Sequence, residues 1–248
     1  MNILIVESEN DEYFIEALIQ ELSSATNRLY CIDEYKHSNL EKRKLVTQLS
    51  NALIDAQKAG ETKIGIILDL DDSTRETRLE LINECLKESF ADCFLPEPQQ
   101  LLTDVKKFVT YPIDDLLNVK IACFFNNVGG QGELEDILRQ IKSKDSVFAD
   151  CLYDGWKNCL IDKGKKIEQK GKAFDLSEKE LLKLWVDFYK RFDTLERRKR
   201  NYKNTDWKGI MLGVTKQGER LQNSRGKDIF NLNSPVLLEI KSFLQMFD

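Results

Sequence analysis

Residues 63–68 read Lys-Ile-Gly-Ile-Ile-Leu and then stop abruptly in Asp69-Leu70-Asp71-Asp72. In an extended chain successive side chains leave on opposite faces, so this run presents apolar groups on both. A strand of that kind is buried from above and below, and it belongs in the middle of a parallel sheet with helices on either side. Residues 2–6 (NILIV) and 119–125 (VKIACFF) repeat the pattern, and 29–35 (LYCIDEY) reads as a further strand.

Helical spacing fills the gaps between these runs. Asn10 is a good N-cap, followed by Asp11 and Glu12 where the helix dipole favours acids, and Phe14, Ile15, Leu18, Ile19 and Leu22 form one apolar face. Leu45, Val46, Leu49, Ala52, Leu53 and Ala56 mark a second helix that stops at Gly60. Ser73 with Glu76 makes a capping-box pattern opening a helix over about 74–89. A less regular stretch holding Pro96, Pro98 and Pro112 precedes the run at 119–125. Beyond it a glycine turn leads into a helix with Leu134, Ile137, Leu138 and Ile141 inward. Strand–helix alternation with crossovers of this length predicts an α/β fold with an open, mainly parallel, Rossmann-like sheet over residues 1–144. Residues 145–248 read differently. Helical patterns at 145–160, 177–192 and 235–247 predict a mostly helical extension packed on the α/β domain.

Charge divides the chain along the same line. The net charge is −5, yet residues 163–227 hold nineteen Lys and Arg against nine Asp and Glu. The remainder is therefore strongly acidic. This asymmetry suits a metal site in one part and a polyanion surface in the other, although a basic tract is also what a solvated helical face looks like. The six cysteines are scattered with no C-x-x-C pair, and the single histidine, His37, lies in a loop-like stretch. Neither a Cys/His zinc site nor histidine-dependent catalysis is expected. The N-terminal apolar run is too short for a signal peptide and no window reaches the roughly 18 apolar residues of a membrane span, so a cytoplasmic protein is expected.

In an open parallel sheet, ligands sit beyond the carboxyl ends of the strands. Three such ends carry acids. The first run reaches Glu7, with Glu9, Asp11 and Glu12 behind it; the third ends in Asp69, Asp71 and Asp72; the run at 119–125 leads through the glycines to Glu133, Glu135 and Asp136. Asp69 and Asp71 are two residues apart, so extended backbone puts them on one face. Carboxylates held together without a cation repel, and a divalent ion such as Mg²⁺ removes that cost.

The stretches LIVESENDEYFI and GIILDLDD resemble the Toprim domain shared by topoisomerases, primases and OLD-family nucleases. That family carries a glutamate after its first strand, as V-E-G-x-x-D, and D-x-D after its third. Glu7, Asp11, Asp69 and Asp71 fall on those positions, while Ser8 stands where the glycine is usual. The later GGQGELEDIL is similar to the glycine turn and L-E-D motif of an uncharacterised bacterial Toprim-like family. The resemblance covers residues 1–140. A response-regulator receiver shares an acid-tipped first strand, but it needs a lysine after its last strand where this chain has Asn126 and Asn127. A Rossmann cofactor site needs G-x-G-x-x-G, which the late GGQG does not supply.

The resemblance implies metal-dependent hydrolysis of phosphodiester bonds in nucleic acid. Glu7, Asp69 and Asp71 would be catalytic, with Mg²⁺ or Mn²⁺ held by Glu7, Asp11, Asp69, Asp71, Glu135 and Asp136. The basic segment then reads as the contact for DNA or RNA, through Arg197, Arg198, Lys199, Arg200 and Lys203, with Tyr202 and Trp207 for stacking. Other readings stay open: the acids are simply a solvated strand end, or the chain is a metal- and nucleic-acid-binding module that does not cut, or an effector that awaits a partner. By analogy with the OLD family that partner would be an ATPase, because this chain has no phosphate-binding G-x-x-x-x-G-K-[ST] of its own. A homo-oligomer is equally open.

Overall fold

A computed structural model describes residues 2–22, 28–33, 42–60, 62–114, 116–130, 132–164, 168–169, 172–173, 178–194, 207–212 and 229–248. They divide into two compact units, one of residues 1–134 with 237–248 and one of residues 135–236. The first unit ends ten residues before the boundary expected at 144, and it also contains the C-terminal helix assigned from sequence to the extension.

The first unit is an open five-stranded sheet. Its strands are β1 (Asn2–Ser8), β2 (Arg28–Asp33), β3 (Thr62–Asp69), β4 (Val109–Pro112) and β5 (Asn118–Asn126), in the order β2-β1-β3-β5-β4. The first four in that order run parallel, and β4 closes the edge antiparallel to β5. Pro112, which cannot donate to a ladder, ends this edge strand. The prolines and short length of that region conceal β4 in the sequence.

Register sorts the strand side chains onto two faces. Ile3 and Ile5 of β1, Ile64, Ile66 and Leu68 of β3, and Ile121, Cys123 and Phe125 of β5 form one buried cluster with α2 (Lys42–Ala59) and α3 (Arg75–Asp92). Burial among them lifts the Cys85 and Cys123 thiols to about 12, so both are held protonated. The opposite face carries Leu4, Gly65 and Phe124 and is covered by α1 (Glu9–Leu22) and α8 (Leu238–Gln245), which touch each other. Gly65 is required here by close approach. A Cβ at this position would lie 2.6 Å from both Leu4 Cδ2 and Phe247 Cζ. The Phe247 ring is itself locked edge-on between Phe108 and Phe243.

Helix entries differ in detail from the sequence expectation. The helix α1 starts at Glu9, so Asn10 is inside it and Ser8 is the residue that caps it. Ser8 Oγ accepts the Asp11 N–H at 3.3 Å and the Asp11 carboxylate takes the Ser8 N–H at 3.0 Å, a reciprocal capping box. The cap of α3 is Thr74, whose hydroxyl accepts the Thr77 N–H at 3.2 Å, in place of Ser73 with Glu76. The residue with extended backbone immediately before the first helical turn is Thr74, and only that residue can cap.

The second unit is mostly helical. It holds α4 (Leu134–Gln140, whose first residue closes the other unit), α5 (Val147–Gly164), α6 (Glu178–Phe188) with a π-helical turn at Tyr189–Asp193, and α7 (Trp207–Leu212). A two-residue pairing, β6 (Glu168–Gln169) with β7 (Lys172–Ala173), accompanies them. Its buried Trp185 and Tyr189 stack with centroids 5.2 Å apart, and the Tyr189 hydroxyl donates to the Ile229 carbonyl at 3.0 Å. Beside them Asp150 gathers donors. Burial alone would raise its carboxyl, but hydrogen bonds from Ser146 Oγ (2.5 Å) and Trp185 Nε1 (2.8 Å), with the Lys142 charge, hold it below the ordinary range. Among the described residues no helix is long and apolar enough to cross a membrane.

Candidate metal centre

From β1 the chain turns to β2 on one side, while β3 and β5 extend the sheet on the other. The carboxyl ends of β1 and β3 therefore flank the point where strand order reverses, the usual ligand crevice of such sheets. Glu7 and Asp69 sit at those two ends. The Asp69 N–H donates to Glu7 Oε2 at 3.2 Å, which ties the two strand ends together.

Asp69 is paired in register with Asn126, the last residue of β5, and both side chains are buried. Asn126 Nδ2 donates to Asp69 Oδ1 at 3.1 Å and to Asp11 Oδ1 at 3.4 Å. Asp11 is 3 % exposed, and its other oxygen takes the Ser8 hydroxyl at 2.5 Å as well as the Ser8 N–H. Asp11 thus caps a helix and, through Asn126, steadies Asp69. Asn126 is a functional candidate that sequence reasoning passed over, since an asparagine at a strand end carries no signal until its register partner is known.

After Leu70 the backbone enters the left-handed region at Asp71, with φ 51°. Aspartate tolerates this conformation better than most residues, and here it is fixed from outside. The Asp71 N–H donates to the Gly132 carbonyl at 2.8 Å and the Gly132 N–H returns to the Asp71 carbonyl at 3.2 Å. Gly129, Gly130 and Gly132 all have positive φ, which explains the glycine-rich composition of the turn. The bridge folds this turn over the end of β3 and delivers Glu133 to the two aspartates. One carboxylate oxygen from each of Asp69, Asp71 and Glu133 lies within 4.8 Å of the others, so the three could hold a metal ion. Asp69 and Glu133 are 8 % and 4 % exposed.

Three ionised carboxylates repel by roughly 3.5 kcal/mol per pair at the outer limit of this spacing and an effective dielectric of about 20. One fixed cation offsets part of that. The Arg78 guanidinium, buried on α3, donates from Nη2 to Asp71 Oδ2. Its Nε–H is buried without a hydrogen-bond partner among the described residues. The cluster thus sets one guanidinium against three carboxylates, and every ligand atom it offers a metal is oxygen.

Of the six carboxylates nominated from sequence, Asp69 and Asp71 are in this cluster. Glu7 abuts it through the Asp69 N–H, and Asp11 connects to it through Asn126. Glu135 and Asp136 are not among its members. They lie in the first turn of α4, in the second unit, where the helix dipole accounts for acids. Glu133 takes the place expected of them. It precedes the helix and stays with the glycine turn, and that position was the available signal. Arg197, Arg198, Lys199, Arg200 and Lys203 lie outside the described residues.

Fold and centre together define an open α/β protein with a buried carboxylate cluster able to hold a metal ion. The chain belongs to the family described as "Protein of unknown function (DUF3226)", whose model matches residues 1–247. No curated protein and no solved structure matches it.

Proposed function

We propose that the protein is a metal-dependent nuclease, hydrolysing phosphodiester bonds of DNA or RNA at the Asp69–Asp71–Glu133 centre. The observation that carries this reading is the delivery of Glu133 by the Asp71–Gly132 bridge onto the aspartates of β3. Nothing in the packing of the sheet requires three acids there. The Toprim resemblance, through Glu7, Asp11, Asp69 and Asp71, points to the same chemistry, and the basic tract of residues 163–227 suits a polyanionic substrate.

Asp69, Asp71 and Glu133 would hold Mg²⁺ or Mn²⁺, which when bound polarises a phosphate oxygen and stabilises the leaving oxygen. Asn126 and Asp11 keep Asp69 in its rotamer. Glu7, anchored on the Asp69 N–H, would take the proton of the attacking water. Arg78 limits the repulsion among the acids.

Cleavage of plasmid DNA and of mixed RNA by the purified chain tests this, in Mg²⁺, in Mn²⁺ and in chelator. The expected result is metal-dependent cutting that disappears in an Asp69→Asn/Asp71→Asn double variant with an unchanged circular-dichroism spectrum. Nucleic-acid binding without cutting under any metal would contradict it and favour a binding module.

A further inference from the structure

We propose that the centre takes a single divalent ion, and that the Arg78 guanidinium stands in place of a second cation on Asp71. The inference rests on the metal reading of the Asp69–Asp71–Glu133 cluster. In centres that bind two ions, a bridging carboxylate commonly offers one oxygen to each. Asp71 carries the buried Arg78 guanidinium, whose Nη2 occupies its Oδ2. The arginine is not a surface side chain that drifts onto the acid: its side chain is 9 % exposed and Asp71 is 20 % exposed.

The neighbouring acids point the same way. A second ion would need ligands beyond the three, and Glu7 and Asp11 are carboxylates joined to Asp69, one through its N–H and one through Asn126. Both are engaged by protein donors. Glu7 Oε2 takes the Asp69 N–H at 3.2 Å. Asp11 takes the Ser8 N–H, the Ser8 hydroxyl and the Asn126 amide. Recruiting Asp11 to a second ion would dismantle the cap of α1 and the support of Asp69.

Removing the guanidinium charge should therefore strengthen ion binding. A charge of +1 acting on a divalent ion across one intervening carboxylate, even screened as in water, corresponds to about tenfold in affinity. The test is a Mn²⁺ titration of the full chain, with free Mn²⁺ read by electron paramagnetic resonance, for the wild type, Arg78→Met and Arg78→Lys. The expected results are one ion per wild-type chain, with Arg78→Met binding its first ion about tenfold tighter or gaining a second site. Arg78→Lys, which keeps the charge, should stay near wild type. Two ions per wild-type chain would overturn the proposal while leaving the metal centre intact. An Arg78→Met chain with unchanged affinity and stoichiometry would do the same. Failure of the wild type to bind Mn²⁺ at all would overturn the metal reading beneath it. The wild-type stoichiometry decides on its own if Arg78→Met does not fold.

Discussion

Asp69→Asn should make the metal-free protein more stable and the metal-loaded protein comparatively less so. Asp69 is buried with its oxygen within 4.8 Å of one oxygen on each of Asp71 and Glu133. Each ionised pair costs roughly 3.5 kcal/mol at the outer limit of that spacing and an effective dielectric of about 20, and Arg78 already offsets part of the Asp71 charge. Asparagine keeps an oxygen for the Asn126 amide, so the loss is the difference between a charge-assisted and a neutral hydrogen bond, about 1 kcal/mol. The two repulsions together exceed that loss, so the balance is a gain of a few kcal/mol without metal, and each 1 kcal/mol raises Tm by about 2–4 °C for a chain of this size. With metal the gap narrows. An ion at a hundred times its Kd stabilises the wild type by about 2.7 kcal/mol, and the variant lacks one of three ligands. The assay is thermal unfolding of both proteins in chelator and in a Mg²⁺ or Mn²⁺ series. If the variant melts below wild type in chelator, or keeps the full metal-induced shift, the repulsion argument is wrong.

Three further outcomes follow from the same structure. Glu133→Gln should abolish the metal-induced rise in Tm while Glu135→Gln preserves it, because only Glu133 joins the cluster; equal effects would remove Glu133 from the site. Gly65→Ala should destabilise the first unit by about 1–3 kcal/mol in urea unfolding, since its Cβ would meet Leu4 and the wedged Phe247 ring at 2.6 Å. Asp150→Asn should lower stability at neutral pH. The native Asp150 carboxyl lies below its ordinary value, so its contribution is present above about pH 4 and fades as pH falls through the native value. The two melting curves should therefore converge in acid, and a gap that persists there would assign the effect to packing.

Much of the sheet can be read from the chain because β1, β3 and β5 are apolar on both faces, a pattern that few other structures satisfy. Asp69 and Asp71 are legible for the same reason: acids directly behind a buried strand are conspicuous. The remainder depends on contacts between distant residues. Glu133 differs from Glu135 in the sequence only by preceding the helix, and it is the Gly132–Asp71 bridge that brings it to the aspartates. The amphipathic pattern of residues 235–247 announces a helix, but not that Phe243 and Phe247 return to fill the space left by Gly65. Thr74 and Ser73 are both good caps by composition, and only backbone conformation chooses between them. Arg78 reads as one more charge on a helix until Asp71 turns toward it.

The most direct test of a metal centre at these acids is diffraction from crystals grown with Mn²⁺, measured at a wavelength where manganese scatters anomalously. The account predicts one anomalous peak at bonding distance from the carboxylates of Asp69, Asp71 and Glu133. A map with no peak there at saturating Mn²⁺, or with manganese held by Glu135 and Asp136 instead, would contradict it.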